Sequence, residues 1–367
     1  MHATSARNSL NHHPYYCYVV NIWRLLSLKV AVGFNADLPV SDIVGYAVKA
    51  ENLGFDGLWL HDHSFARDAL SYLTSAAKET SRMRLGVACL SPYTRHPVVL
   101  AMSMLTLQET SRGRSVLGLG TGFPMRLDFM AINHEKPIAA LKETMQICRL
   151  IWEGQAVNYK GRVFELRNVK SVSGKAFSKI PIYIAGWKKQ MLALTGKYAD
   201  GYVAKGGESP QSLARIASGI KHSAEMNGRQ IGEIEIAAYL LTLVSKSKKD
   251  ALQSTKKDPF VNYMLSVQDD YLYEESGLSA ELKVPVAQNY FKGNLAEASS
   301  HITDEMIEAF TVCGTEDQVC ERIEEYRRSG LNLPILQPIS MKSEDIENTI
   351  KAGGALVSSS LESAIVN

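Results

Sequence analysis

The stretch GFDGLWLHDH, Gly54–His63, decides the fold. A Gly-Phe-Asp-Gly turn leads into an apolar run too short to be a helix, and that run stops on His61, Asp62 and His63. The reading is a strand over Gly57–Leu60 with titratable groups waiting at its carboxyl end.

Working outward, the same pattern recurs. Short aliphatic runs at Val30–Phe34, Arg84–Leu90, Val116–Gly120, Ile182–Ala185, Gly201–Ala204, Glu235–Leu243 and Pro334–Pro338 bring the strand count to eight. Segments of helical period lie between them. Ile43, Val44, Ala47, Val48 and Ala50–Leu53 form one amphipathic face closed by Gly54, and Ile138, Leu141, Met145, Cys148 and Trp152 form another closed by Gly154. Thr315 with Gln318 reads as a capping box over Val319, Ile323 and Tyr326, with Gly330 as the stop. Eight strand–helix alternations predict a closed (β/α)8 TIM barrel with insertions.

One barrel of about 250 residues plus insertions accounts for most of the 367 residues. The barrel is expected over residues 29–340, with insertions near 155–180 and 246–301 and a C-terminal helix and tail over 341–367. VNYKGRVF, Val157–Phe164, reads as a hairpin about a Lys-Gly turn. Lys246–His301 is helical in composition and rich in Tyr, which suits either a lid over the mouth or a packing module against a partner subunit. The tail after Gly354, rich in Ser and Ala, is expected to be loosely held. Residues 1–28 stand apart as an extension; their apolar stretch is interrupted by Arg24 and is too short for the roughly 20 apolar residues of a membrane span. A net charge of +2 argues against nucleic acid as the main partner. Five widely spaced cysteines with no C-x-x-C arrangement point to a reduced, metal-free, cytoplasmic protein.

Chemistry in such a barrel belongs where strands end and loops begin. His63 there can act as acid or base, with the adjacent carboxylate of Asp62 holding its tautomer, or it can close a hydrogen-bond network between loops. The third strand ends in Ser91-Pro92-Tyr93-Thr94-Arg95-His96-Pro97, a turn suited to lining a flat heterocycle, gripping an anion, or simply preceding a helix. The fourth leads into GLGTG, Gly118–Gly122, which lacks G-x-G-x-x-G spacing; Gly120 and Gly122 instead permit close approach of a cofactor or the next strand. Ala185-Gly186-Trp187-Lys188-Lys189 and Lys205-Gly206-Gly207 each open a helix beside a lysine, the makings of an anion site on the late half of a barrel. Asp128 reads as a helix-start carboxylate near the pocket.

Taken in order, GFDGLWLHDH, TSRMRLGVACLSPYTRHP, SRGRSVLGLGTG, IPIYIAG and KYADGYVA make the chain resemble the bacterial luciferase-like superfamily of flavin and deazaflavin oxidoreductases over about residues 29–340. HDHSFARDAL, HEKPIAALKE, IAAYLLTLVS and HITDEMIEAFTVCGTEDQV are similar to the branch that reduces methylenetetrahydromethanopterin with coenzyme F420. The resemblance implies a deazaflavin across the carboxyl mouth of the barrel, hydride exchange with a small-molecule substrate, and a homo-oligomer. It also implies a bulged third strand with a non-prolyl cis peptide under the ring, at Ala88-Cys89 by motif position. On this reading Ala88, Cys89, Ser91, Gly120, Gly122, Ala185, Gly186, Trp187, Lys205 and Gly206 hold the cofactor, and Tyr93, Arg95, Phe123 and Asp128 shape the substrate pocket. His63, Asp62 and Asn35 serve the chemistry. Two positions depart from that branch: Asn35 and Phe123 stand where it carries acids. The rival readings are an FMN-dependent monooxygenase, a flavin-binding protein without turnover, and an unrelated barrel lyase or isomerase.

Overall fold

The computed structural model describes residues 29–176 and 178–366, with side chains through Ser359, so the expected 1–28 extension lies outside the described residues. Eleven strands are present among the described residues: β1 Ala31–Asn35, β2 Gly57–His61, β3 Arg84–Leu90, β4 Ser115–Leu119, β5 Val157–Lys160, β6 Glu165–Val169, β7 Ile182–Ile184, β8 Gly201–Ala204, β9 Glu235–Val244, β10 Val312–Gly314 and β11 Leu333–Pro338. Parallel pairing runs β11-β1-β2-β3-β4-β7-β8-β9, and β9 pairs back onto β11, which closes an eight-stranded barrel. All eight expected strands are in it. The strand absent from the sequence reading is β10, which flanks the end of β9. At three residues it is too short to show a period.

The two-residue alternation of each strand divides the core in two. Trp59, Val116, Tyr183, Val203, Ala237, Tyr239 and Ile335 point into the barrel, while the alternate set, Leu58, Leu60, Leu85, Val87 and Leu117 among it, packs outward with the helices. Three interior rings sit opposite glycines. A Cβ at Gly33 or Gly201 would stand 2.6 Å from the ring of Tyr239 or Tyr183, and one at Gly86 would fall on the indole of Trp59. The amino-terminal end is closed by charge: Arg84 pairs with Asp56 and, at 2.7 Å, with Glu235, which also receives Lys29 at 2.8 Å. Toward the other end, β3 shifts register between Val87 and Leu90, and the Ala88–Cys89 peptide within that bulge is cis.

The helices stop where the breakers stand, with Gly54 and Gly154 at positive φ after Val40–Asn52 and Pro137–Trp152. The Thr315/Gln318 capping box forms. The hairpin differs from its expected register: its second strand begins at Glu165, beyond Arg162-Val163-Phe164. The reason is Glu143 on the preceding helix, a buried side chain whose carboxylate accepts the backbone N–H groups of all three residues at 2.6–3.0 Å and withdraws them from the ladder. Glu143→Ala is therefore expected to cost about 1–3 kcal/mol and to speed amide hydrogen exchange at Arg162, Val163 and Phe164 selectively. Unchanged exchange at those three amides would remove this account of the turn.

The long insertion forms helices Lys248–Lys257, Pro259–Val267, Asp270–Glu275, Lys283–Tyr290 and Leu295–Ser300. Val261, Leu265, Leu272, Tyr273 and Val286 share a core with Leu241 and Leu243 from β9. The tail is a correction: the last helix runs Ser343–Val366 through the two glycines, and Leu356 and Val357 are buried. Val357 reaches Gly54, and Gly353 lets the backbone lie against Phe55, so this helix is held by packing beyond Gly354.

Candidate active site

The carboxyl ends of the strands bring the expected residues to one mouth, in two groups. On the β3–β4–β7 side, a Cβ at Gly120 would lie 3.0 Å from Cβ of Cys89 and 3.8 Å from Cβ of Ala185. Cys89, Gly120 and Ala185 thus make a continuous floor beside Ala88. Ser91 is buried; its hydroxyl donates to the Thr121 carbonyl at 3.1 Å and accepts from the Tyr93 amide at 3.3 Å, so it ties two loops together. Gly122 holds φ +82° against that hydroxyl. The Cys89 thiol is pushed up to about 12 by burial and by Asp62, so it stays protonated.

On the β7–β8 side, Gly186 precedes Trp187, whose ring lies 4.3 Å from that of Tyr271 in the insertion. Lys205 pairs with Asp269 of the insertion at 3.2 Å, and the Gly207 carbonyl accepts from Gln268 at 2.5 Å. Ser209 caps Pro210–Met226 by accepting from the Ser212 amide, with Pro210 at the first helical position. The insertion therefore walls this side of the mouth. Lys205, expected to be free for an anion, already has a carboxylate partner.

The expected pairing of His63 with Asp62 does not form. Asp62 instead accepts from Arg95 at 3.1 Å, and Arg95 also reaches Asp68 at 2.7 Å. An arginine fork in a half-buried loop outcompetes a neutral imidazole for a carboxylate. Burial holds the Asp62 carboxyl above its usual range even against the pull of Arg95. Burial, and then the charge of Arg126, lower the pKa of His63. Its Nδ1 accepts the Phe65 amide at 3.2 Å, which leaves the proton of the neutral ring on Nε2. His63 is thus a donor by geometry.

The remaining expected residues spread out. Asn35 stands level with His61 in the β1–β2 register. The Tyr93 hydroxyl donates to the Glu135 carbonyl at 2.6 Å. Phe123 is exposed beneath Arg126, at 5.7 Å. Asp128 is a correction: Pro124 starts the helix Pro124–Phe129, so Asp128 lies in its last turn, exposed, with its carboxylate 3.0 Å from His134. His61, Tyr239 and Gln337 were missed. His61 approaches Gln337 Oε1 at 3.1 Å and stacks on Tyr239 at 3.8 Å. A signal was present, because Gly57, Trp59 and His61 share one face of β2, as Leu333, Ile335 and Gln337 do of β11. Among the described residues no cluster of His, Cys, Asp and Glu could hold a metal, and no helix is long and apolar enough to cross a membrane.

Fold and mouth together define a (β/α)8 barrel whose carboxyl end offers a flat floor, a helix amino terminus and neutral hydrogen-bonding groups. The chain belongs to the luciferase-like monooxygenase family, whose profile matches residues 25–333. It is 32% identical over 305 residues to the 5,10-methylenetetrahydromethanopterin reductase of Methanolobus tindarius, covering 83% of this chain and 92% of that protein. The enzyme of the same name from Archaeoglobus fulgidus is 29% identical over 308 residues, covering 83% and 91%. The solved coenzyme F420-dependent tetrahydromethanopterin reductase of Methanopyrus kandleri superposes with a TM-score of 0.84 at 26% identity, over 91% of this chain and 99% of that one.

Proposed function

We propose that the protein is a coenzyme F420-dependent oxidoreductase and that its substrate is a methylene-bearing pterin of the methylenetetrahydromethanopterin type. The observation that carries the reading is the floor formed by Ala88, Cys89, Gly120 and Ala185, where only small side chains leave room for a planar ring and where a Cβ at Gly120 would meet Cys89. Its support is the family membership and the reductases matched over most of both chains.

When bound, the deazaflavin supplies hydride chemistry; the protein supplies position and a restrained electrostatic field. Gly186 and Trp187 lead into the exposed amino terminus of Lys189–Tyr198, which would meet the anionic arm of the cofactor, with Lys205 and Gly206 beside it at the end of β8. The Asp62–Arg95 pair sets the shape of the rim, with Tyr93 and Phe123 beside it. Nε2–H of His63 is the donor offered to a substrate atom. Asn35, a neutral amide, can hydrogen-bond but cannot move a proton at the place where the related branch carries an acid. We further propose a cytoplasmic homo-oligomer.

Titration of the full chain with F420 and, separately, FMN should give saturable fluorescence changes with F420 and weaker binding of FMN by tenfold or more, about 1.4 kcal/mol. Reduced F420 should be oxidised only when the methylene pterin is added. Preference for FMN would overturn the cofactor assignment, and tight F420 binding with no turnover would overturn the substrate assignment; either result leaves the family.

A further inference from the structure

The mouth contains one cluster that the functional reading does not use. His61 occupies the last inward position of β2, directly above Trp59, and so begins the first polar layer over an apolar interior. Two elements meet on its ring. Gln337 at the end of β11 lies 3.1 Å from Nε2, and Tyr239 of β9 covers one face at 3.8 Å and 26°. On its other side β2 pairs with β3, the strand whose bulge carries the Ala88–Cys89 floor. Tyr239 can reach the imidazole because Gly33 on the intervening β1 has no side chain in the way. The ring is nevertheless not closed off: His61 remains partly exposed, while Tyr239 and Gln337 beneath and beside it are buried.

This arrangement is a poor one if packing were its only purpose. A histidine–glutamine pair must be desolvated, and apolar residues of similar volume would fill the space at lower cost. Burial also keeps the imidazole neutral down to about 4, so it brings no charge to the cluster. What it provides is a flat, uncharged group fixed in orientation by contacts from two other strands, with Nε2 engaged by Gln337 and Nδ1 remaining for a ligand. Resting on the F420 reading above, we infer that His61 is a cofactor-positioning residue. Tied to Gln337 and backed by Tyr239, it presents its open edge to the hydrogen-bonding edge of a planar heterocycle lying on the Ala88–Cys89 floor.

The test is a fluorescence titration of the full chain with F420, together with the absorption spectrum of the bound cofactor. His61→Phe keeps the flat ring and the stack but loses both nitrogens; it should bind F420 about tenfold more weakly, as loss of a buried hydrogen bond implies, and return the bound spectrum toward that of free F420. His61→Asn, which restores a donor and an acceptor, should recover affinity to within about threefold and regain the bound spectrum. Binding by His61→Phe within threefold of the parent, or an equal defect in a folded His61→Asn, overturns the inference. If His61→Phe does not fold, Gln337→Leu decides, with weaker binding supporting the role and unchanged binding overturning it. The parent titration separates this result from the functional reading. A parent that takes FMN overturns only the choice of cofactor, and the same variants are then read with FMN; a parent that binds neither overturns both.

Discussion

Replacing His63 with alanine is expected to lower turnover of the F420-dependent reaction by about 10²-fold, the usual cost of losing one preorganised donor at a reacting centre. Cofactor affinity should stay within a few-fold of the parent. The direction follows from the tautomer. Because Nδ1 accepts the Phe65 amide, the neutral ring carries its proton on Nε2, and a partly buried imidazole near the charge of Arg126 stays neutral to lower pH than a free one. Activity that depends on this neutral donor is full at pH 7 and falls only as the pH drops through the lowered pKa, below the ordinary 6.5. His63→Gln, with an amide N–H near the same position, should recover part of the loss. A His63→Ala enzyme with unchanged kcat, or equal defects in kcat and cofactor affinity, would show that His63 only links loops.

The second large effect is on stability. Arg84→Met is expected to destabilise the fold by about 3–5 kcal/mol, because it takes from Asp56 and Glu235 the guanidinium they share at the closed end of the barrel and leaves Lys29 paired with Glu235. The pH dependence identifies the cause. Burial raises the pKa of Glu235, but Arg84 and then Lys29 overcome it and hold the group at about 2, against 4.5 for a free glutamate. A group with a depressed folded pKa stabilises above its unfolded pKa, so this contribution is complete above about pH 5 and is lost as the pH falls from 4.5 toward 2. Without Arg84, burial dominates and the same carboxylate prefers its proton. Denaturant unfolding at pH 7 and pH 4 should therefore show a smaller gap between variant and parent at pH 4. A gap that is constant with pH would mean that Arg84 acts through packing alone.

The position of the floor was legible, and the partners of the polar groups around it were not. The cis bond and bulge lie at Ala88–Cys89, where the motif placed them, and Gly120 stands against Cys89 as close approach requires. Asp62 was read with its neighbour His63 because the two are adjacent in the chain; its actual partner Arg95 lies 33 residues away. Lys205 looked free because Asp269, its partner, is 64 residues further on in an insertion whose position no local pattern specifies. Asp128 was misplaced by one helical turn because Pro124, not the carboxylate, marks the helix start.

The sequence by itself determined the eight strands, the stops between them and hence the closed barrel with its working end. Those features rest on hydrophobic period and on Gly and Pro backbone preferences, which act over a few residues. Tertiary structure alone decided which polar groups meet. His61 and Gln337 are 276 residues apart and become neighbours only when β11 closes against β1, and Tyr239 reaches His61 across the gap left by Gly33. The orientation and protonation of the mouth are set by such contacts between distant strands, and these exist only once the barrel has closed.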